Sequence, residues 1–346
     1  MRYSILGRTG LRVSAVALGT GNFGTGWGHG ADPAEARAIF DAYRAAGGNF
    51  VDSANIYQGG ESEVLVGGLI AAERNDIVLA TKFGLSGGQE SGLQATGNSR
   101  KTLVQSIEGS LRRLATDRVE LLWVHCPDGV TPIDELARAL DDLVRSGKAL
   151  HVGLSNFPAW RVATAATIAE FRGWAPVQAL QTEYSLVERT AERELLPMSA
   201  GFSLATLGWS PLGGGLLTGK YRRGETGRRE HFKAAFHDES DSHTSAILDT
   251  VLAIAAETNV TPSQIAIAWV LAKGVMPILG PRTQGQSADN LGALRITLDS
   301  EQMMRLDNAS APALGSPHEK FQLSAIKDNL TGSKADQIAW PDIALR

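Results

Sequence analysis

The chain has little of several things, and each shortage excludes a class of protein. A single cysteine, Cys126, in 346 residues rules out an internal disulfide framework and suits a reducing compartment. No apolar run reaches the roughly 18 residues that suggest a membrane-spanning helix. The start of the chain has no apolar segment followed by a small-residue cleavage site, so a cytoplasmic location is expected. On that reading the Asn-X-Ser/Thr triplets at Asn259, Asn308 and Asn329 are chance matches to a short pattern. Neither sign of charge dominates: 33 Lys and Arg against 37 Asp and Glu leave a net −4 without blocks. Nothing therefore marks a partner that is nucleic acid or an anionic membrane.

What the chain does have is alternation. Hydrophobic residues make up 43% and charged residues 20%, an ordinary globular balance. Short β-branched runs fall at residues 15–18, 50–52, 77–81, 119–124, 149–153, 179–182, 204–207 and 275–279. Amphipathic stretches lie between them at residues 33–46, 63–72, 100–114, 133–146, 158–171 and 189–199, and at 245–257 with 262–273 before the last run. In the third stretch Leu103, Val104, Ile107, Leu111 and Leu114 recur at three- and four-residue steps, one face of a helix. Strand–helix alternation with continuous apolar strands predicts a parallel sheet covered by helices. Eight such units favour closure into a (β/α)8 TIM barrel over an open doubly wound sheet. No linker divides residues 1–346, so one domain is expected. Residues 1–14, with a turn centred on Gly10, read as a hairpin closing the barrel bottom. Residues 222–244 read as a long exposed loop. The tail from 311 to 346, with Phe321 and Trp340, reads as an extension near the mouth.

In such a barrel the C-terminal ends of the strands build the active site. Asp52 ends the second run with Tyr57 on the loop beyond, Lys82 follows the third and His125 the fourth. Ser155 and Asn156 follow the fifth, Gln181 lies in the sixth, and Trp209 with Ser210 follows the seventh. Taken singly, each has an ordinary explanation: a solvated lysine, a packing tyrosine, a helix-capping aspartate, a core histidine. Four such residues at one end of three adjacent strands favour a site. A phenol, with a reference pKa near 10, is too weak an acid at neutral pH. A lysine ammonium within about 4–6 Å favours phenolate, and Asp52 would keep a buried Lys82 charged. Such a site can protonate a carbonyl oxygen as hydride arrives at carbon. It has no nucleophile–base pair, and it lacks the clustered ligands of a catalytic metal.

Two glycine patterns imitate nucleotide motifs. Residues 19–24 fit GxGxxG, but Gly26, Gly28 and Gly30 prolong the loop where a helix should open. Residues 214–220 imitate a phosphate loop, but Tyr221 stands where a Mg²⁺-binding Ser or Thr belongs.

Matching segments run from about Leu6 to Leu298. They include Asn49-Phe50-Val51-Asp52-Ser53-Ala54 with Tyr57 and Glu61-Ser62-Glu63, Ala80-Thr81-Lys82, and Val124-His125-Cys126-Pro127-Asp128. Gly153-Leu154-Ser155-Asn156-Phe157 and Gln181-Thr182-Glu183-Tyr184-Ser185 follow. Downstream come Trp209-Ser210-Pro211-Leu212-Gly213-Gly214-Gly215-Leu216 and Ile278-Leu279-Gly280-Pro281-Arg282-Thr283, with Gln286 and Asn290. In these the chain resembles the aldo-keto reductase superfamily, and within it the bacterial reductases related to potassium-channel β subunits. The resemblance implies an NADP(H)-dependent reductase of a small-molecule aldehyde or ketone. Tyr57 would be its general acid, tuned by Lys82 and Asp52, with His125 orienting the carbonyl.

It further implies that Ser155, Asn156 and Gln181 hold the nicotinamide carboxamide while Trp209 stacks on the ring. Gly19 and Thr20 would touch the nicotinamide ribose. Ser210, Leu212, Gly214, Leu216 and Lys220 would line the pyrophosphate path under the 222–244 loop. Gly280, Arg282, Gln286, Asp289 and Asn290 would hold the adenosine end. A planar guanidinium at Arg282 suits a 2′-phosphate, and free amides of a helix starting near Ser287 would add attraction, which favours NADP(H) over NAD(H). Three departures stand out. Trp209 replaces a common Tyr, Asp289 replaces a common Glu and shortens its reach, and Gln58-Gly59 replaces a common Gly, a change expected to reshape the substrate mouth.

Two other readings stay open. One is a nucleotide-sensing accessory subunit with little turnover, against which stands His125, where the channel subunits carry Asn. The other keeps the chemistry but narrows it to a keto-sugar or secondary-metabolite ketone, or to alcohol oxidation. Substrate contacts would come from residues 22–30, 84–98 and 128–132 and from the tail. Trp27, Phe321 and Trp340 suggest an apolar mouth or packing on the rim. Oligomeric partners leave no mark in the sequence.

Overall fold

The computed structural model describes residues 1–86, 92–227, 237–321 and 323–339. Eight parallel strands close into a barrel: β3 (Ala17–Gly19), β4 (Phe50–Asp52), β5 (Val78–Phe83), β6 (Val119–Val124), β7 (Ala149–Ser155), β8 (Val177–Glu183), β9 (Ala205–Trp209) and β10 (Met276–Leu279), with β10 pairing back to β3. The helices between them are α1 (Pro33–Ala45), α2 (Glu61–Ile70), α3 (Arg100–Arg113), α4 (Ile133–Arg145), α5 (Ala159–Arg172) and α6 (Leu195–Gly201). The pair α7 (Ser242–Thr258) and α8 (Pro262–Ala272) precedes β10, and α9 (Gln284–Gly292) and α10 (Ser300–Ala309) follow it. The predicted (β/α)8 barrel is the fold observed.

Local chemistry starts these helices where they start. Asp32 accepts from the Glu35 amide and Pro33 opens α1, Ser99 caps α3, and Thr261 with Gln264 forms a capping box on α8. Barrel strands β3, β4, β5, β6 and β10 are buried on both faces. On β4, Val51 packs outward among helix residues such as Ile39 and Val66, while Phe50 turns into the barrel against Ala80, Leu121 and Ala179. This period of two puts Asp52 on the inner face as well, and the pairing of Asp52 with Ala80 puts Lys82 two residues further along the same face of β5.

The predicted bottom hairpin is β1 (Tyr3–Ile5) paired with β2 (Arg12–Ser14). Leu6 and Val13 are fully buried against the apolar barrel interior, and the Arg8 amide donates to Gln178 Oε1 at 2.9 Å, at the start of β8. The turn pivots on Gly7 rather than Gly10. Gly7 has φ +54°, and a Cβ there would lie 2.2 Å from the Gln178 carbonyl oxygen, whereas Gly10 faces open space.

Several boundaries differ from expectation. The stretch predicted as one helix over 189–199 is a short turn at Thr190–Glu192 followed by α6. Arg189 and Glu192 are drawn into a partly buried pair at 2.8 Å, and Glu194 leaves helical geometry before Pro197 enters the first turn of α6. The helix expected near Ser287, α9, opens at Gln284, three residues earlier. The tail forms α11 (His318–Phe321) and α12 (Ser324–Thr331), and its first part packs on the loop after β8, with Arg193 donating to the Ser316 carbonyl at 3.1 Å. No described tail residue lines the central cavity, and Phe321 is half exposed. Trp340 and parts of the 84–98 and 222–244 segments lie outside the described residues. Among the described residues no helix is long and apolar enough to cross a membrane.

Candidate active site

Asp52, Lys82 and Tyr57 meet at the C-terminal mouth. Lys82 is fully buried. Its ammonium donates to Asp52 Oδ2, to the Ser53 carbonyl at 2.9 Å and to the Tyr57 hydroxyl oxygen at 2.9 Å. Burial works against its charge, but the Asp52 carboxylate and the Tyr57 oxygen outweigh that cost and hold its pKa above the usual lysine value. Gln181 Nε2 donates to the other Asp52 oxygen at 3.2 Å, so the carboxylate cannot turn away from the lysine.

The His125 ring stands edge-on to Tyr57, centroids 6.0 Å apart. Burial, with the nearby Lys82 charge, pushes its pKa down to about 3. The imidazole is thus neutral at ordinary pH, and its buried Nδ1 makes no hydrogen bond to the described protein atoms.

A cavity of about 580 Å³ runs outward from these residues. Of the residues expected at the nicotinamide end, Gly19, Asn156, Gln181 and Trp209 line it, whereas Thr20 and Ser155 are fully buried beneath. Thr20 is tied to the Asp52 carbonyl (3.2 Å) and accepts from Ser62 (2.9 Å). Asn156, in the left-handed region at φ +59°, donates to the His125 carbonyl (2.9 Å) and to Ser155 Oγ (3.0 Å) and accepts from Trp209 Nε1 (2.9 Å). It anchors the indole N–H, a role its place after strand β7 did not reveal.

Further out, Ser210, Leu212, Gly214 and Lys220 line the cavity, while Leu216 is buried in the core beneath it. Gly213, Gly214 and Gly215 all have positive φ, at +56°, +66° and +95°. Their amides are already bonded to Ser210 O, Ser210 Oγ and Leu212 O, so this segment gives room and the cation of Lys220 rather than free amides.

At the far end Gly280, Arg282, Gln286, Asp289 and Asn290 line the cavity. Gln286 Oε1 accepts from the Arg282 amide at 2.8 Å. Three of the first-turn amides of α9 are engaged: Gln284 with Glu35, Gln286 with Thr283 Oγ1, Ser287 with the Thr283 carbonyl. An anion here would meet chiefly the guanidinium. Asp289 is also committed, accepting from Thr261 Oγ1 (2.7 Å) and Gln264 Nε2 (3.0 Å) across to α8. His29, which carried no signal in a glycine-rich loop, lines the cavity with its Nδ1 3.1 Å from Arg282 Nη1. Asn22 beside it donates to the Gly280 carbonyl at 2.7 Å. Both come from residues 22–30, which the sequence assigned only to substrate.

A parallel barrel whose mouth carries a tyrosine backed by a buried Lys–Asp pair, opening into a long cavity, is the architecture of one large family of oxidoreductases. The chain belongs to it: the model of the Aldo/keto reductase family matches residues 15–311. Among its relatives, the uncharacterized oxidoreductase YrpG of Bacillus subtilis is 38% identical over 91% of this chain and 97% of its own length. A norsolorinic acid reductase of Aspergillus flavus is 35% identical over 89% of this chain and 80% of its own. An aryl-alcohol dehydrogenase of Pestalotiopsis microspora is 35% identical over 91% of this chain and 85% of its own.

Proposed function

We propose that the protein is an NADP(H)-dependent oxidoreductase that reduces an aldehyde or ketone on an aryl or similarly flat apolar group, or runs the reverse oxidation, with Tyr57 as general acid. The observation that carries this is the bond from the buried Lys82 ammonium to the Tyr57 oxygen beside the cavity. The residues present fit the cofactor. Trp209 is anchored through its indole N–H by Asn156, Gln181 lines the cavity beside Asp52, Lys220 and Arg282 supply cations along it, and Gly214 and Gly215 keep its wall free of side chains. NADPH, when bound, supplies the hydride.

The protein's own part is the proton. A carbonyl oxygen gaining negative charge takes a proton from the Tyr57 hydroxyl, and the phenolate left behind is stabilised by the Lys82 ammonium, which Asp52 keeps in place. His125 is neutral at ordinary pH and so is a hydrogen-bond donor or a wall, not the acid. Arg282 supports NADP(H) over NAD(H) by its fit to a phosphate. The substrate class rests on Trp27, whose ring stands edge-on to Tyr57 with centroids 6.2 Å apart, and on the activities for which the two fungal relatives are named.

The test is Tyr57→Phe, assayed by NADPH absorbance with an aryl aldehyde. Turnover is expected to fall on the order of 10²–10⁴-fold while NADPH still binds, read by quenching of tryptophan fluorescence. Near-wild-type turnover in that variant overturns the proposal.

A further inference from the structure

The residue after Tyr57 adopts a conformation its side chain does not favour. Gln58 lies at φ 52°, ψ 34°, in the left-handed region, and is almost completely buried. A non-glycine residue held there needs surroundings that over-determine it. They are found in the loop after β3. Gln58 Nε2 donates to the Gly21 carbonyl at 3.0 Å and the His29 carbonyl at 2.9 Å, and Gln58 Oε1 accepts from the Trp27 amide at 2.8 Å. Both ends of one carboxamide are spent on a single loop.

That loop has a base and a tip. The base is closed independently of Gln58: the Gly24 amide donates to Ala31 O at 2.8 Å, the Ala31 amide to Asn22 O at 2.6 Å, and Asn22 Nδ2 to Gly280 O. The tip carries Trp27. It is held by Gln58 and by Glu61, whose Oε2 accepts from the Thr25 amide (2.8 Å) and the Gly26 amide (3.0 Å). Tyr57 and its neighbour therefore act on the same aromatic residue from two sides. Tyr57 meets the Trp27 ring edge-on, and Gln58 fixes the backbone from which that ring projects.

We propose that Gln58 is a positioning residue for substrate: it sets the Trp27 ring edge-on against the Tyr57 ring and so selects carbonyls attached to a flat apolar group. This rests on the carbonyl-reductase reading above and goes beyond it in naming what shapes the substrate end. A ring held at a fixed angle beside the proton donor favours a planar substrate without the entropy cost of ordering the loop at each encounter.

The decisive variant is Gln58→Gly, because glycine adopts this backbone conformation without strain and only the clamp is lost. The expected result has three parts. Hydrogen exchange of the amides in residues 24–30 accelerates about tenfold or more while the barrel strands keep their protection. The kcat/KM for an aryl aldehyde falls about tenfold, mainly through KM, while that for a short aliphatic aldehyde changes by less than about twofold. Trp27→Ala costs much less in the Gln58→Gly background than alone, since the two act as one unit.

Equal losses for both aldehydes, additive effects of the two substitutions, or unchanged exchange in residues 24–30 would each overturn the proposal. The exchange measurement needs no turnover. If the wild-type protein reduced no carbonyl, the functional reading would fall, and the clamp would still be judged by the protection of its loop.

Discussion

The same strands serve two opposite purposes two residues apart. In the lower barrel the inward positions are Phe50, Ala80, Leu121, Trp123, Ala179 and Leu207, a dry cluster capped by Leu6 and Val13 of the hairpin. One step up the same faces stand Asp52, Lys82, His125, Gln181 and Trp209. The lower layers gain from removing apolar surface from water. The upper layer buries an ammonium and a carboxylate whose desolvation a pure packing problem would never accept. Under the proposed function, the barrel thus separates stability from chemistry by height along its axis.

Substitutions at the two heights should break this division in opposite ways. The largest effect is expected for Lys82→Met. Turnover should fall on the order of 10³-fold, and stability by about 3–5 kcal/mol, because Asp52 is left as a buried charge without its partner. Adding Asp52→Asn should recover most of the stability, measured by urea unfolding, and none of the turnover. A double variant that regains activity would show that the upper layer is not the chemical one.

One layer down, Leu121→Ala should cost about 2–5 kcal/mol through the cavity it leaves, with kcat/KM unchanged below the unfolding transition. An activity loss comparable to that of Lys82→Met would erase the distinction.

The smallest effect lies at the boundary, with His125. Its folded pKa of about 3 lies below the ordinary histidine value of 6.5, so between those values the unfolded chain binds the extra proton. The stabilisation from keeping His125 neutral is complete above pH 6.5 and is lost as pH falls toward 3. Wild type should lose about 2–3 kcal/mol more than His125→Gln between pH 7 and pH 4. Parallel stability curves for the two proteins would mean that the imidazole is not held neutral by burial.

Much of this was legible because it is written in strand periodicity. Apolar runs that end on Asp52, Lys82 and His125 carry their own direction, and a parallel barrel leaves one place for those ends to meet. What escaped depends on partners distant in sequence. The commitment of Asp289 to Thr261 and Gln264 is a contact between two helices, and no spacing within either announces it. Gln58 read as a departure from a common pattern, and its clamp needs a loop some thirty residues earlier to be folded beside it. His29 sat among glycines with no periodicity to aim it. The break near residue 194 escaped because the apolar pattern continued through it, while Arg189 left the helical face to pair with Glu192 and to donate to Ser310.

The hairpin under the barrel has a consequence for traffic. With Leu6 and Val13 stoppering one end, the cavity is a blind alley, and whatever lies deepest in it waits on whatever came in afterwards. Under the proposed function, arrivals and departures share one doorway, so the order of binding is a property of the architecture and needs no separate gate to enforce it.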